Sequence, residues 1–354
     1  MILVISYEGE EHTDAVVRRL AEMQRDVVRI DLADFPSRAA LVGEWRHDKA
    51  PSYCIDTGKG TVDLAAARAV WWRRVRPFAI DAAIPQPQRR QFAISETTQA
   101  VMGVLDALGC AWINPRLADE AAHHKPYQWT VAQQVGLRVP RTLVTTQADA
   151  ARRFIEDVGL GKVVFKAFLA SIEEWRETRL VEPDDLARLD LLRFAPVIFQ
   201  EYIPGVDLRV TIIGEKVFAA EIDARHTSYP VDMRMVIGEG AVRAVELPAQ
   251  LTRQLLALQR RLGLSTAPSI CVKPMQASTT SWRSIRPVSG CFARSGRGCR
   301  SRRHTRSCWH RLPTPVGRRH RPVKHAPHPR HCAIAGQRDG RHLGRSDCGT
   351  ARRF

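Results

Sequence analysis

The strongest constraint on this 354-residue chain is a break in its own pattern near residue 265. Before the break, apolar residues recur at the spacings of strands and helices. After it, no period of 2 or 3.6 survives. Charge breaks at the same point: residues 266–354 hold 20 Lys+Arg against 2 Asp+Glu, whereas the first 265 hold 34 against 35. The formal net charge of +17 therefore belongs to the last quarter, and the front reads as an ordinary near-neutral globular chain. Cysteine divides the same way, with Cys54 and Cys110 in front and six behind, and no Glu follows Glu246. A core can be expected only from the first 265 residues, and the tail is expected to be irregular or disordered.

No apolar run reaches 18 residues, so no membrane span is expected. Met1–Tyr7 lacks the basic leader and cleavage site of a signal peptide, which makes a cytoplasmic location the default. Residues 2–6 suit a buried parallel strand. Thr13 or Asp14 is positioned to cap a following helix. Asp26–Asp31 and Ala69–Arg74 read as further strands, giving a β-α-β opening and a doubly wound α/β domain. A long helical stretch covers 87–108 and a short strand Cys110–Asn114, with a first boundary near Pro115. The spacing then predicts a helix over roughly 117–135, strands at Thr142–Thr145, Lys162–Phe168 and Val197–Tyr202, and a helix over Gln147–Val158. A hairpin turns at Gly214-Glu215, and a helix over Leu247–Leu262 ends at Gly263.

Several chemistry-bearing residues fall in one order along this framework. Lys125 opens a helix in His-His-Lys-Pro-Tyr-Gln. Lys166 lies in a strand. Gln200-Glu201-Tyr202-Ile203 ends another strand, followed by Asp207-Leu208-Arg209 and a hairpin ending in Glu221-Ile222-Asp223. Each piece alone has a bland reading: a strand lysine is more often part of a solvated face than a phosphate ligand, and Gln-Glu-Tyr is simply a strand end. The ordered set is far more specific.

That set resembles the ATP-grasp superfamily. Within it, the chain is most similar to the branch of RimK-like ligases and microviridin-type (MvdC/MvdD-like) maturases of ribosomal peptides. The resemblance covers residues 1–265 and rests on AVWWRRVRP, WINPRLADEAAHHKPYQ, LRVPRTLVTT and FQEYIPGVDLRVTIIGEKVFAAEID. It implies an ATP-grasp fold behind an N-terminal pre-ATP-grasp α/β domain. The domains would be a pre-ATP-grasp domain at 1–115, a central or lid subdomain at 116–195 and the start of a C-terminal subdomain at 196–265. The basic tail would occupy 266–354.

The resemblance also implies roles. Lys125 and Lys166 would cradle the ATP polyphosphate, since phosphoryl transfer needs cations against developing charge. Gln200, Glu201, Tyr202 and Ile203 would border the adenine, and Asp207 the ribose. Arg209 would clamp a phosphate or acyl phosphate bidentately and is the candidate catalytic residue. Arg73, Arg74, Asp232 and Arg234 are substrate-side candidates. The Trp71–Arg74 cluster reads equally well as a core strand with a basic end. The reaction would activate a side-chain carboxylate of a precursor peptide for ester or amide crosslinking. A RimK-like amino-acid ligase and an inactive nucleotide- or peptide-binding remnant are the alternatives. The partner would be a ribosomal precursor peptide, and a homodimer is left open.

One departure is large. The family holds Mg²⁺ through an Asp on a strand (Gly-Ala-Ile-Asp) and a later Glu-x-Asn-Pro, the hard oxygen ligands that this ion requires. Neither motif occurs, so no metal ligand is assigned in this frame. Joining the last base of each codon to the first two of the next permits YGAIDLRKTDAGEYYFLEINPAGQWL from Ser265 onward. The overlap of Met275 and Gln276 must encode Ala, and that of Trp282 and Arg283 encodes Glu or Ala. Further on, Thr-Gly-Leu-Pro-Ile is readable across Gly296 to Ser301. One base lost near the Ser265 codon would explain the missing Glu, the excess of Arg, Cys and Pro, and the lost periodicity. The competing readings of the tail are a nucleic-acid-binding basic arm and a zinc site. No C-x₂-C pair supports the zinc site.

Overall fold

The computed structural model describes residues 1–168, 178–229, 231–232, 239–274 and 283–287. Strand β1 (Ile2–Ile5) leads into helix α1 (Glu11–Glu22) and strand β2 (Val27–Ile30). The helix cap is Glu10, and neither Thr13 nor Asp14 fills that role. Glu10 Oε2 accepts Thr13 N at 2.7 Å and Thr13 Oγ1 at 2.6 Å. A carboxylate suits the positive end of the helix dipole, and Thr13 is needed further in, where it is fully buried.

Strands β3 (Ala40–Arg46), β4 (Lys49–Asp56) and β5 (Thr61–Asp63) then form an antiparallel meander. Sequence pattern does not announce it. Gly43 and Pro51 interrupt the alternation, and Val42 and Trp45 stay exposed. The Trp45 ring lies over Gly43 and stands 5.5 Å from the Tyr53 ring. Strand β6 (Ala69–Trp72), helix α2 (Pro87–Asp106) and strand β7 (Ala111–Ile113) complete a parallel sheet in the order β2-β1-β6-β7. Its core gathers Leu3, Ile5, Ile30, Phe35, Ile55, Leu64, Val70 and Leu105, all buried. Each such side chain contributes about 1.5–3 kcal/mol of burial. Trp72 packs at the edge of this core, 6.3 Å from Trp112, so at that tryptophan the plain core-strand reading holds.

The helix expected over 117–135 is two helices, α3 (Arg116–His123) and α4 (Lys125–Gln134). The chain is extended at His124. A continuous helix would place Pro126 in its interior, removing a hydrogen bond and creating a clash. In the first turn of α4 the proline is harmless.

Strand β8 (Thr142–Thr145), helix α5 (Ala148–Val158), strands β9 (Val163–Lys166) and β10 (Arg179–Leu180), the single turn α6 (Pro183–Leu186) and strand β11 (Val197–Glu201) follow. Their sheet runs β10-β9-β11-β8, antiparallel throughout. One face carries Phe165 and Phe199 into a core with Phe154 and Ile155 of α5. The last sheet comprises β12 (Gly205–Ile213), β13 (Lys216–Asp223), β14 (Ala241–Ala244), β15 (Thr266–Pro274) and β16 (Arg283–Pro287), in the order β14-β13-β12-β15-β16. Helix α7 (Ala249–Arg261) covers it, and Gly263, at φ 70°, ends the helix. Leu208, Val210, Ile212, Leu255, Leu258 and Cys271 share a core with Val131 and Ala132 of α4.

Regular structure therefore continues past Ser265, where the sequence pattern offered no element. Strand β15 pairs with β12 along its whole length. Ala267, Ser269 and Cys271 point alternately into the core. Three small residues fit a face already set by β12, so strand formation here follows from the tertiary neighbour and not from local propensity. Beyond Pro287, the expectation of an irregular tail falls outside the described residues.

Candidate functional site

Two lysines from separate elements are anchored near the end of β9. Lys125, the first residue of α4, is buried, and its Nζ donates to the Phe168 carbonyl, two residues past the strand. Lys166 closes β9, and its Nζ donates to Gln200 Oε1 at 2.9 Å. Gln200, fully buried in β11, passes the network on through Nε2 to Thr142 Oγ1 at 2.7 Å. Lys166 pairs with Ile198 in the ladder, and Gln200 lies two residues further along β11. Both side chains therefore stand on the face opposite Phe165 and Phe199. Lys166 and Gln200 are in direct contact, and Lys125 is anchored two residues past Lys166, at Phe168.

The strand terminus beside them is partly occupied. Glu201 N donates to Arg141 O at 2.9 Å, and Tyr202 N donates to Lys162 O at 2.8 Å. These two amides hold the sheet together, so neither is an open edge for a base. Ile203 follows outside the strand.

Asp207 and Arg209 alternate with buried Val206, Leu208 and Val210, and so share the other face of β12. In the register, Arg209 sits between Ala220 and position 270, and Asp207 between Ile222 and Val272. Glu221 turns to the core side. Its Oε1 accepts from Arg243 at 2.6 Å, and its Oε2 lies 3.4 Å from Lys273 Nζ. Asp223 is held well below the usual carboxylate range by hydrogen bonds from the neighbouring Arg225. Among the described residues no group of three or more His, Cys, Asp or Glu could hold a metal ion.

The remaining candidates lie elsewhere. Buried Asp232 accepts the Thr178 amide at 3.2 Å, tying the loop after β13 to the start of β10. Arg234 lies outside the described residues. Arg73 and Arg74 follow β6 and close around Glu10, at 3.9 and 3.4 Å. Burial pushes the Glu10 carboxyl up. The Thr13 bonds and the two guanidiniums outweigh burial and hold it below its ordinary value. Burial lowers the Arg73 guanidinium against the pull of Glu10. Arg74 adopts φ 46°, an unusual backbone for a branched-off polar strand end. Glu10 had no sequence signal beyond a common N-cap acid. Asn114 lies within the Trp-Ile-Asn-Pro stretch, where nothing in the sequence marks it out.

A parallel-sheet module followed by two antiparallel sheets sets the class: an ATP-grasp fold behind an α/β module. Residues 1–120 match the family profile of the MvdD pre-ATP grasp domain. Among solved structures, the macrocyclase MdnC bound with precursor peptide MdnA from Microcystis aeruginosa MRC is 25% identical, with TM-score 0.70, covering 81% of this chain and 91% of that one. A Chryseobacterium gregarium RiPP-associated ATP-grasp ligase in complex with ADP and a leader and core peptide is 21% identical, with TM-score 0.70, covering 80% and 88%. The ATP-grasp ligase PsnB, complexed with minimal precursor, Mg and ADP, is 23% identical, with TM-score 0.66, covering 83% and 90%. No curated protein matches. The resemblance to ATP-grasp maturases of ribosomal peptides holds in the N-terminal profile and in the fold.

Proposed function

We propose that this chain is built as an ATP-dependent ligase. It would activate a side-chain carboxylate of a ribosomal precursor peptide as an acyl phosphate, for attack by a hydroxyl or amine of the same peptide. The observation that carries this reading is the convergence of Lys125 and Lys166 at one strand end, beside the buried Gln200. Two cations held by carbonyl and amide oxygens are set to receive a polyphosphate without a further rearrangement of the sheet. The adenine edge falls to Ile203, since the Glu201 and Tyr202 amides are engaged, and Asp207 serves the ribose. Arg209 faces the transferred phosphoryl group, where a planar guanidinium offers two donors. In the reaction the carboxylate oxygen attacks the γ-phosphorus and ADP leaves. The peptide nucleophile then attacks the acyl carbon, loses its proton, and inorganic phosphate leaves. Arg73, Arg74, Asp232 and Arg234 remain substrate-side candidates.

A second reading is favoured by one position. Restoring a single lost base before Thr266 moves the encoded Asp to residue 270, the register partner of Arg209, on the face that Asp207 shares. In the present frame that position is Ile270. The literal chain is therefore an impaired ligase or a remnant that binds nucleotide weakly, and no step is assigned to Mg²⁺ in it. The test is ADP release with a candidate precursor peptide rich in Thr, Ser, Lys, Asp and Glu. The 354-residue chain is expected to show little or no turnover, and robust Mg²⁺-dependent turnover would contradict the impairment. Resequencing the gene tests the lost base itself.

A further inference from the structure

Strand β15 starts at a junction gripped by one side chain from the pre-ATP-grasp module. Asn114, just past β7, is buried. Its Oδ1 accepts Ser265 N at 2.9 Å and Thr266 N at 2.8 Å, and its Nδ2 donates to Thr266 O at 2.9 Å. Asp119 Oδ1 accepts from the same Nδ2 at 3.0 Å and fixes which way the amide points. Two further bonds reach Ser265 O, from Gly214 N at 2.9 Å and Gln259 Nε2 at 2.8 Å, but both come from the β15 side of the molecule.

We infer that Asn114 is a positioning residue that pins the register of β15. Three of its bonds to residues 265 and 266 use backbone atoms, and a fourth, longer one comes from Thr266 Oγ1 at 3.4 Å, so most of the grip is independent of which side chains the reading frame places there. Position 270 lies four residues on, about 13 Å along the strand. A slip of one residue would turn it, and every site-facing position of β15, to the opposite face of the sheet. Asn114 touches no substrate in this account. It acts through β15, and its consequence for nucleotide binding rests on the function proposed above.

The molecule carries its own reporter. Cys271 is buried in β15, and burial pushes its thiol up to about 12. Cys54 and Cys110, both half-buried, lie in the pre-ATP-grasp module. N-ethylmaleimide labelling of the full chain, located by peptide mass, is compared for wild type, Asn114→Asp and Asn114→Ala. The aspartate keeps the acceptor oxygen and loses the two donated bonds, whereas alanine loses everything. The expected Cys271 labelling rate rises in that order, by about threefold and then by about tenfold or more, as local opening grows. Cys54 and Cys110 stay constant. An unchanged Cys271 rate in either variant, or a rise shared equally by Cys54 and Cys110, would overturn the inference. ADP affinity is measured on the same samples and is expected to fall in the same order. A Cys271 response with no ADP binding in any sample upholds the pin and sinks the nucleotide reading instead.

Discussion

Single side chains decide the chemistry here by what already holds them. Lys166 is fixed by Gln200 Oε1 before any ligand arrives, so its loss removes a preorganised cation and not merely a surface charge. Lys166→Ala is expected to weaken ATP binding by about tenfold or more. Arg19→Ala, which removes only an exposed pair with Glu22, should leave it unchanged. Isothermal titration separates the two. Glu10 makes a different prediction. Its folded carboxyl sits below the ordinary value of 4.5, so its contribution to stability is complete above that pH and is lost as pH falls through the folded value. The Tm of Glu10→Gln should therefore trail wild type most at pH 7, with the gap closing as pH falls below the ordinary value of 4.5 and through the folded value. A gap that stays constant down to low pH would show that Glu10 acts only as a hydrogen-bond acceptor.

At the scale of elements, legibility followed the source of each element's stability. Strands β1, β2, β6, β8 and β11 and helices α2, α5 and α7 have apolar spacing strong enough to be read directly. The meander β3-β4-β5 does not, because Gly43 and Pro51 break its alternation and Trp45 covers the glycine from outside. Strand β15 was invisible for a deeper reason: its residues adopt a strand because β12 offers a ladder, not because Thr-Ala-Pro-Ser asks for one. The site divides along the same line. Lys125, Lys166 and Gln200 are legible as an ordered set, whereas Glu10 and Asn114 gain meaning only from partners distant in sequence. Gly205 shows how close β12 and β15 lie. A Cβ there would collide with Lys273 O and the Val272 side chain. Gly205→Ala should lower Tm and raise Cys271 reactivity, by about 1–3 kcal/mol of overpacking. Wild-type stability in that variant would mean that the two strands are not in contact as described.

For the whole molecule, we propose that an ATP-grasp scaffold is encoded through β12 and β13 while its Mg²⁺-binding half is displaced into another frame. In this reading the two halves would differ in what they offer a nucleotide: Lys166 of β9 and Lys125 of α4 supply cations, whereas the register partner of Arg209 is Ile270 and not an acid. Fold and chemistry can separate in this way because backbone pairing tolerates many side chains, whereas a hard cation demands oxygen at one position. The most direct measurement is the Mg²⁺ dependence of ATP affinity, determined side by side for this chain and for the chain with one base restored before the Thr266 codon. The literal chain should bind ATP weakly and indifferently to Mg²⁺, and the restored chain at least about tenfold more tightly when Mg²⁺ is present. Equal, Mg²⁺-dependent affinity in both would contradict the account.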